Sequence, residues 1–386
     1  MFELAEELNK RHHQVTVITT WPKYNLDHQS IPSSFSEIET TNSITVIRVK
    51  TIPHHNVNYL IRGISQLIMP LQFIWKLWKH RIITDVTIVY SPPLPLALVG
   101  VWLKLKKISF ILNVQDLFPR NAIDLRILTN PLQKRFFLYM EKIAYRCADA
   151  VTLHSEGNQQ TVKTQFPTFK NKFKILHNWV DIDFHRSDLV QIDFRKKWKI
   201  QHKNIAIFAG VMGPSQNLDL ILRIAESFKD NSELLFLLVG DGKEKKKLQK
   251  LTEEKSLNNV RFEGFVSREA YIDLLKICSI GLVCLSPENT TPVIPGKILG
   301  YMAVGLPIAA FLQTSSDGHI IIKNAKCGFS ACSSDKDACV EIMKNLLSMK
   351  DSFSKFGQNG KNYAKAHFSK QICISELESI LEETIS

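Results

Sequence analysis

The chain has no C-x-x-C pair among its seven cysteines, and any pairing scheme leaves an odd thiol. A disulfide framework and a zinc ribbon are therefore not expected, and a reducing cytoplasm suits these thiols. Low-complexity stretches and internal repeats are absent too, which argues against disordered and solenoid classes. No secretion signal opens the sequence and no apolar run is clean enough to cross a bilayer. The nearest, "YLIRGISQLIMPLQFIWKLW" (59–78), holds Arg62, Gln66, Pro70, Gln72 and Lys76, all costly in hydrocarbon. Such a segment either lies on a membrane, with Trp75, Trp78, Lys76, Lys79 and Arg81 at headgroup level, or packs half-buried against the protein core; the residues fit both.

Several chemical signatures are missing as well. There is no Walker lysine followed by serine or threonine, and neither "GVMG" nor "GDG" completes a dinucleotide pattern of three spaced glycines. Twelve histidines include pairs at 12–13 and 54–55, but without carboxylate or cysteine neighbours at metal spacing, so no metal is expected. The net charge of +12 suits anionic lipid, lipid phosphates, nucleotides or nucleic acid alike. No helix-turn-helix, zinc finger or aromatic RNA-binding motif accompanies it, which disfavours nucleic acid. The basic runs "RKKWK" (195–199) and "KEKKKLQK" (243–250) read as solvated helix faces.

What is present is a chain of 386 residues, too long for one ordinary core. Apolar runs alternate with amphipathic ones: "QVTVITT", "ITVIRVK", "DVTIVYS", "SFILNV" and "AVTLH" read as strands, with helices between most of them. The alternation lapses between 168 and 204 and resumes at Ile205. The expected fold is α/β, with a domain over 1–182, a second over 183–368, and a terminal helix over 369–386 that packs back on the first. Two such domains imply a cleft between them.

The stretch from Ile205 to Pro307 is the most telling. It sets glycines at the ends of apolar strands in "IAIFAGVMG" and "LLFLLVGDG", then opens a helix with "PGKILGYMAVGLP". Gly210 and Gly213 precede the amphipathic run "NLDLILRIAESF", so helix N–H groups and a positive dipole end would face a ligand there. Gly240, Asp241 and Gly242 form a second turn, and Gly296 and Lys297 a third. A diphosphate fits such loops, with Lys297 adding a point charge. The plainer alternative makes the glycines helix caps and Lys297 a surface residue.

Taken together, these motifs resemble the retaining glycosyltransferases of family 4, and the similarity runs over nearly the whole chain. It is carried by "DVTIVYSPPLPLAL", "NVQDLFPRNA", "AYRCADAVTLHSEG", "ILHNWVDIDF", "IAIFAGVMGPSQNLDLIL", "LLVGDGKEKKKLQKL", "VRFEGFVSREAY", "PGKILGYMAVGLPIAA" and "FGQNGKNYAKAHFS". The resemblance implies a GT-B fold, two Rossmann-like domains facing across the cleft. It implies transfer of a sugar from a nucleotide-sugar to a hydroxyl acceptor, with no metal or other cofactor. The most similar subgroup builds bacterial surface polysaccharides such as O-antigen on lipid-linked saccharide acceptors, which implies a place at the inner face of the cytoplasmic membrane. Carried onto this chain, donor phosphates would meet Gly213 and the backbone before Lys297, and the base would lie near Val266. Asp116 would face the sugar from the acceptor side, as a proton acceptor or as a stabiliser of positive charge. Without the resemblance, Asp116 reads as a helix N-cap before Pro119.

The sequence departs from the family where a glutamate commonly holds the donor ribose, here Gly300, and where another commonly stands near the donor sugar, here Pro292. The family also places a strand and a glycine loop ahead of the helix "FELAEELNKRHH", so a central strand is expected to be missing. A catalytically decayed nucleotide-sugar-binding protein and a GT-B nucleotide-sugar epimerase are the alternative readings.

Overall fold

The computed structural model describes residues 2–22, 35–53, 58–182 and 192–385. His54, His55 and the start of the expected second domain, 183–191, lie outside the described residues. The first half runs α1 (Phe2–Lys10), β1 (Thr16–Thr20), β2 (Ile38–Thr41), β3 (Ile44–Val49), α2 (Tyr59–Lys79), β4 (Val86–Ser91), α3 (Ala97–Leu105), β5 (Ser109–Val114), α4 (Arg120–Asp124), α5 (Pro131–Cys147), β6 (Ala150–Leu153), α6 (Glu156–Gln165) and β7 (Phe173–Ile175). The second runs α7 (Phe194–Lys197), β8 (Asn204–Ala209), α8 (Leu218–Glu226), β9 (Leu234–Val239), α9 (Lys245–Glu254), β10 (Val260–Glu263), α10 (Arg268–Lys276), β11 (Ile280–Cys284), α11 (Gly296–Val304), β12 (Ile308–Leu312), α12 (Gly318–Ala325), β13 (Gly328–Cys332), α13 (Lys336–Ser348) and α14 (Phe353–His367). A last helix, α15 (Lys370–Ile385), closes the chain.

In the second half six parallel strands stand in the order β10-β9-β8-β11-β12-β13. Counted from β8 this is 3-2-1-4-5-6, the doubly wound order that opens a crevice at the carboxyl ends where the winding reverses, between β8 and β11. Every residue of β9 is buried, as a continuous apolar run requires when helices cover both faces. Ile205, Ile207, Leu235 and Leu237 point to one core, and Ala206, Phe208, Leu234 and Phe236 to the other. Each fully buried aliphatic side chain contributes about 1.5–3 kcal/mol.

The sheet of the first half comes in two pieces. Four parallel strands run β4-β5-β6-β7, and a separate sheet pairs β1 parallel and β2 antiparallel to β3. The same helical layers cover both pieces: Val49 and Ile18 share a core with α2 and α3, while Leu4 and Leu8 of α1 share one with Ile111, Ala150 and α15. No strand among the described residues stands between β1 and β4, so each keeps one unpaired edge.

The halves are tied at the back of α15. Val180 N–H donates to the Phe368 carbonyl at 2.9 Å and the Lys370 ammonium to Asp181 at 3.1 Å, while Ile374 and Leu377 are buried against the first domain.

Two local details differ from the sequence expectation. The helix expected from Asn217 begins at Leu218, because Pro214–Gln216 forms a 3₁₀ turn and Asn217 is left-handed at φ 46°. Lys76, placed above with the headgroup-level cations, is instead buried and paired with Glu37, its ammonium 4.9 Å from the Trp75 ring. Its neighbours Lys79 and Arg81 are exposed.

Candidate functional site

The first glycine turn leaves β8 at Gly210 and the second leaves β9 at Gly240. They interlock backbone to backbone: Gly210 N–H donates to the Val239 carbonyl at 2.9 Å, and Met212 N–H to the Asp241 carbonyl at 2.8 Å. Gly240 has φ +132°, and a Cβ there would sit 2.1 Å from the Gly210 carbonyl oxygen. That contact, with a backbone shape that side chains rarely adopt, is why glycine stands at 240. Lys245, within the basic run 243–250, turns inward and donates to the carbonyls of Gly240 at 2.7 Å and Glu263 at 3.0 Å. Asp241 is exposed, one carboxylate oxygen accepting from Gly242 N–H at 2.8 Å.

Lys297, in the first turn of α11, reaches back over Gly210. Its ammonium donates to Gln216 at 2.8 Å, lies 4.7 Å from the Phe208 ring and stands over the spot a Gly210 side chain would fill. Burial lowers its pKa to about 8. The cation thus stands at the switch point between β8 and β11, with Gly296 exposed at the helix start and Gly213 in extended backbone beside it. Helix-start N–H groups and a desolvated ammonium are the chemistry an anion calls for. Val266 is half-buried beyond β10 and packs on the same core as α11.

On the opposite wall, Asp116 follows β5. The helix behind it, α4, is capped by Pro119, so the N-cap reading fails. Its carboxylate makes no hydrogen bond or ion pair among the described residues. The side chain is open to solvent, yet the crowded cleft wall raises its pKa above the ordinary aspartate value.

His154, at the end of β6, is a functional candidate that residue-by-residue reading missed, although it lies in the quoted motif "AVTLHSEG". It is 5% exposed, and burial lowers its pKa to about 4, with His177 adding to the effect. It is neutral at physiological pH. Its Nδ1 has no partner among the described residues, while its carbonyl accepts from His177 Nδ1 at 3.0 Å. A buried polar atom left without a partner costs about 1–3 kcal/mol, which sets His154 apart from a core residue chosen for stability.

Two contacts close the domains on each other. Gly157 N–H, in the first turn of α6, donates to Asp317 Oδ2 at 2.8 Å, and a Cβ at 157 would strike Asp317 and Pro292 within 2.7 Å. Asp124 Oδ2 accepts from Thr290 N–H at 2.9 Å and from its hydroxyl at 2.7 Å. All four segments follow the carboxyl ends of β5, β6, β11 and β12, so these contacts turn the strand ends of one sheet toward those of the other. Gly300 faces open space, with nothing within 4 Å of a Cβ built there.

Residues 1–184 match the family model described as Glycosyltransferase Family 4, and residues 190–363 the model described as Glycosyl transferases group 1. The chain carries the two domains of a GT-B glycosyltransferase. An uncharacterised glycosyltransferase of Methanocaldococcus jannaschii is 25% identical over 353 residues, 90% of this chain and 89% of that one. Among solved structures, a sucrose-phosphate synthase from Thermosynechococcus elongatus superposes with TM-score 0.76 at 14% identity, covering 99% of this chain and 91% of the other. The Anabaena protein HepE in complex with UDP-glucose superposes with TM-score 0.65 at 16% identity, covering 89% and 87%. Lys297 and the glycine turns fall in the group 1 domain of this GT-B pair, and Asp116 and His154 in the family 4 domain.

Proposed function

We propose that the chain moves a sugar from a nucleoside-diphosphate sugar to a hydroxyl of a lipid-linked saccharide, with retention at the anomeric carbon and without a metal. The observation that carries this reading is Lys297 over Gly210 at the sheet's switch point, in a cleft whose far wall holds Asp116. The diphosphate would sit at Gly213, the start of α11 and the Lys297 ammonium; that the structurally similar HepE is known in complex with UDP-glucose supports a nucleotide-sugar as the donor. Asp116 is free to accept the acceptor's hydroxyl proton, and a raised pKa makes it a better base once ionised. His154, at the end of β6, would face the sugar as a neutral imidazole. Work at a cytoplasmic membrane face is supported by α2, where Ile61, Ile64, Leu71, Trp75 and Trp78 form an exposed stripe at helical spacing. No helix of the described residues is long and apolar enough to cross a membrane, and such a stripe suits a helix lying in the interface.

The test is product analysis with a panel of nucleotide-sugars and lipid-diphosphate saccharides. An acceptor lengthened by one sugar of unchanged anomeric configuration is expected. Tight donor binding without transfer to any acceptor would instead favour the nucleotide-sugar-binding protein, a reading that the absent carboxylates at Gly300 and Pro292 support. Interconversion of the donor sugar without an acceptor would identify an epimerase.

A further inference from the structure

The outer face of the first domain is a layer of three helices, α2, α3 and α5, in which α3 packs on both neighbours. α5 lies beside the cleft, and its solvent side is unusual. Leu132, Phe136 and Tyr139 are 79%, 46% and 65% exposed, at spacings that put them on one stripe. Arg135 and Lys142 flank that stripe and line the same surface hollow with Leu138. The one acid of the helix, Glu141, is fully buried.

Leu138 also lines a second cavity, of about 280 Å³, shared with Arg120, Ile123, Asp124, Thr161, Thr290 and Thr291. This cavity lies between the domains, beside the Asp124–Thr290 contact. It holds a cation that the fold does not use fully. Among the described residues Arg120 Nε is buried without a hydrogen-bond partner, and its nearest counter-charge is Glu141 Oε1 at 3.9 Å. Glu141 Oε1 accepts from the Tyr145 hydroxyl at 3.1 Å, and its Oε2 has no partner among the described residues. Burial raises the Glu141 pKa to about 7, so near neutrality the acid offsets only part of the Arg120 charge.

We propose that these two hollows form one port, in which Arg120 takes the phosphate of a long-chain lipid phosphate and the Leu132–Phe136–Tyr139 stripe takes its chain. The proposal rests on the reading of an acceptor carried on a lipid and assigns that acceptor a site. Two features select this occupant. A cation beside an apolar stripe complements an anionic amphiphile, which neither a free sugar nor a neutral lipid would match. The port also opens from the helical layer that bears the α2 stripe and ends at the domain cleft, so a lipid held at a membrane would present its head to the cleft.

Calorimetric titration with farnesyl monophosphate, farnesol and inorganic pyrophosphate, each in saturating UDP so that the diphosphate site at Lys297 is already filled, tests this on the full chain. The wild type should bind farnesyl monophosphate about tenfold or more tightly than either control, since each control lacks one of two contacts worth about 1.4 kcal/mol or more. Arg120→Gln should abolish the preference over farnesol, with Arg120→Lys restoring part of it. Phe136→Ser with Tyr139→Ser should weaken farnesyl monophosphate and farnesol alike. Thermal unfolding of each variant shows whether it is folded, and Trp75→Ser on α2 should leave these affinities unchanged. Pyrophosphate binding as tightly as farnesyl monophosphate, or folded variants binding like the wild type, would overturn the port. UDP titration separates the two ideas: loss of UDP binding in the wild type sinks the donor reading, while the farnesyl result stands or falls by itself.

Discussion

The two sheets of this protein differ more than the shared alternation of strand and helix suggests. The C-terminal sheet is continuous, with six parallel strands and a buried centre, and its crevice lies where the order reverses. The N-terminal sheet is divided between β1 and β4. Every residue of β9 is buried, whereas β1 has no buried residue and β4 only two of six. The anion site proposed at Lys297 therefore rests on a continuous sheet, while Asp116 and His154 hang from strands β5 and β6, one or two places from an open edge. Donor binding and acceptor chemistry should accordingly respond separately to substitution and to local opening.

Hydrogen exchange should show the largest contrast. Amides of β9 are expected to exchange only on global unfolding, and those on the open edges of β1 and β4 at least roughly a thousandfold faster, because local opening there disrupts little buried surface. Native-state exchange read by mass spectrometry would measure it. Protection of β1 and β4 equal to that of β9 would break the comparison, and would mean that something covers the open edges in solution.

Next in size is the separation of chemistry from binding. Asp116→Asn should lower turnover by roughly a hundredfold or more while donor affinity stays within about twofold, as for a group that acts in the transition state from the opposite wall. Turnover measured beside calorimetric donor titration decides it. A parallel loss of donor affinity would place Asp116 in the donor site and dissolve the division of labour.

The sequence shows the complete domain more clearly than the divided one, for physical reasons. A strand buried on both faces writes itself as an unbroken apolar run such as "LLFLLV", and a turn at φ +132° pressed against another backbone demands glycine, as at Gly240. These signals are local. The contacts that shape the cleft are not: Gly157 meets Asp317 and Asp124 meets Thr290 across 160 and 166 positions of sequence. Neither pair has spacing or residue type that sets it apart from surface loops. Arg120 and Glu141 likewise read as ordinary helix charges until burial shows them partly unpartnered. The left-handed Asn217 that delays α8 left no mark either, since asparagine serves equally as a cap.

A pH-dependent effect of about tenfold should test the donor side. With a pKa of about 8 in the free protein, Lys297 is charged at pH 7 and about nine-tenths neutral at pH 9. A diphosphate binds the charged form, so donor affinity should fall by up to about tenfold from pH 7 to pH 9 and more slowly in Lys297→Ala, which should itself bind about tenfold more weakly at pH 7. The linkage to stability runs the other way without donor. The unfolded lysine titrates near the ordinary value of 10.5, so between pH 8 and 10.5 the unfolded chain holds more protons and folding gains as pH rises. Calorimetry from pH 7 to 9 on both proteins gives the answer, and identical slopes would remove Lys297 from the phosphate site.

The smallest expected change is a gain. Gly300 lies in α11, one turn after Lys297, and a Cβ there meets nothing within 4 Å. A glutamate can therefore be added without displacing the core, and it replaces the helix residue of poorest propensity after proline, which favours the helix by up to about 1 kcal/mol. A charged hydrogen bond to a donor hydroxyl is worth about 1.5–3 kcal/mol, but ordering a long side chain returns about 0.5–1.5 kcal/mol of that. The net is about 1 kcal/mol, so Gly300→Glu should tighten the donor roughly fivefold and leave Asp116-dependent turnover nearly unchanged. Gly300→Gln separates charge from reach and should give less. Weaker donor binding by Gly300→Glu would show that the open space beside Gly300 faces the diphosphate and not the sugar hydroxyls of the nucleoside, and would move the nucleoside to the other side of α11.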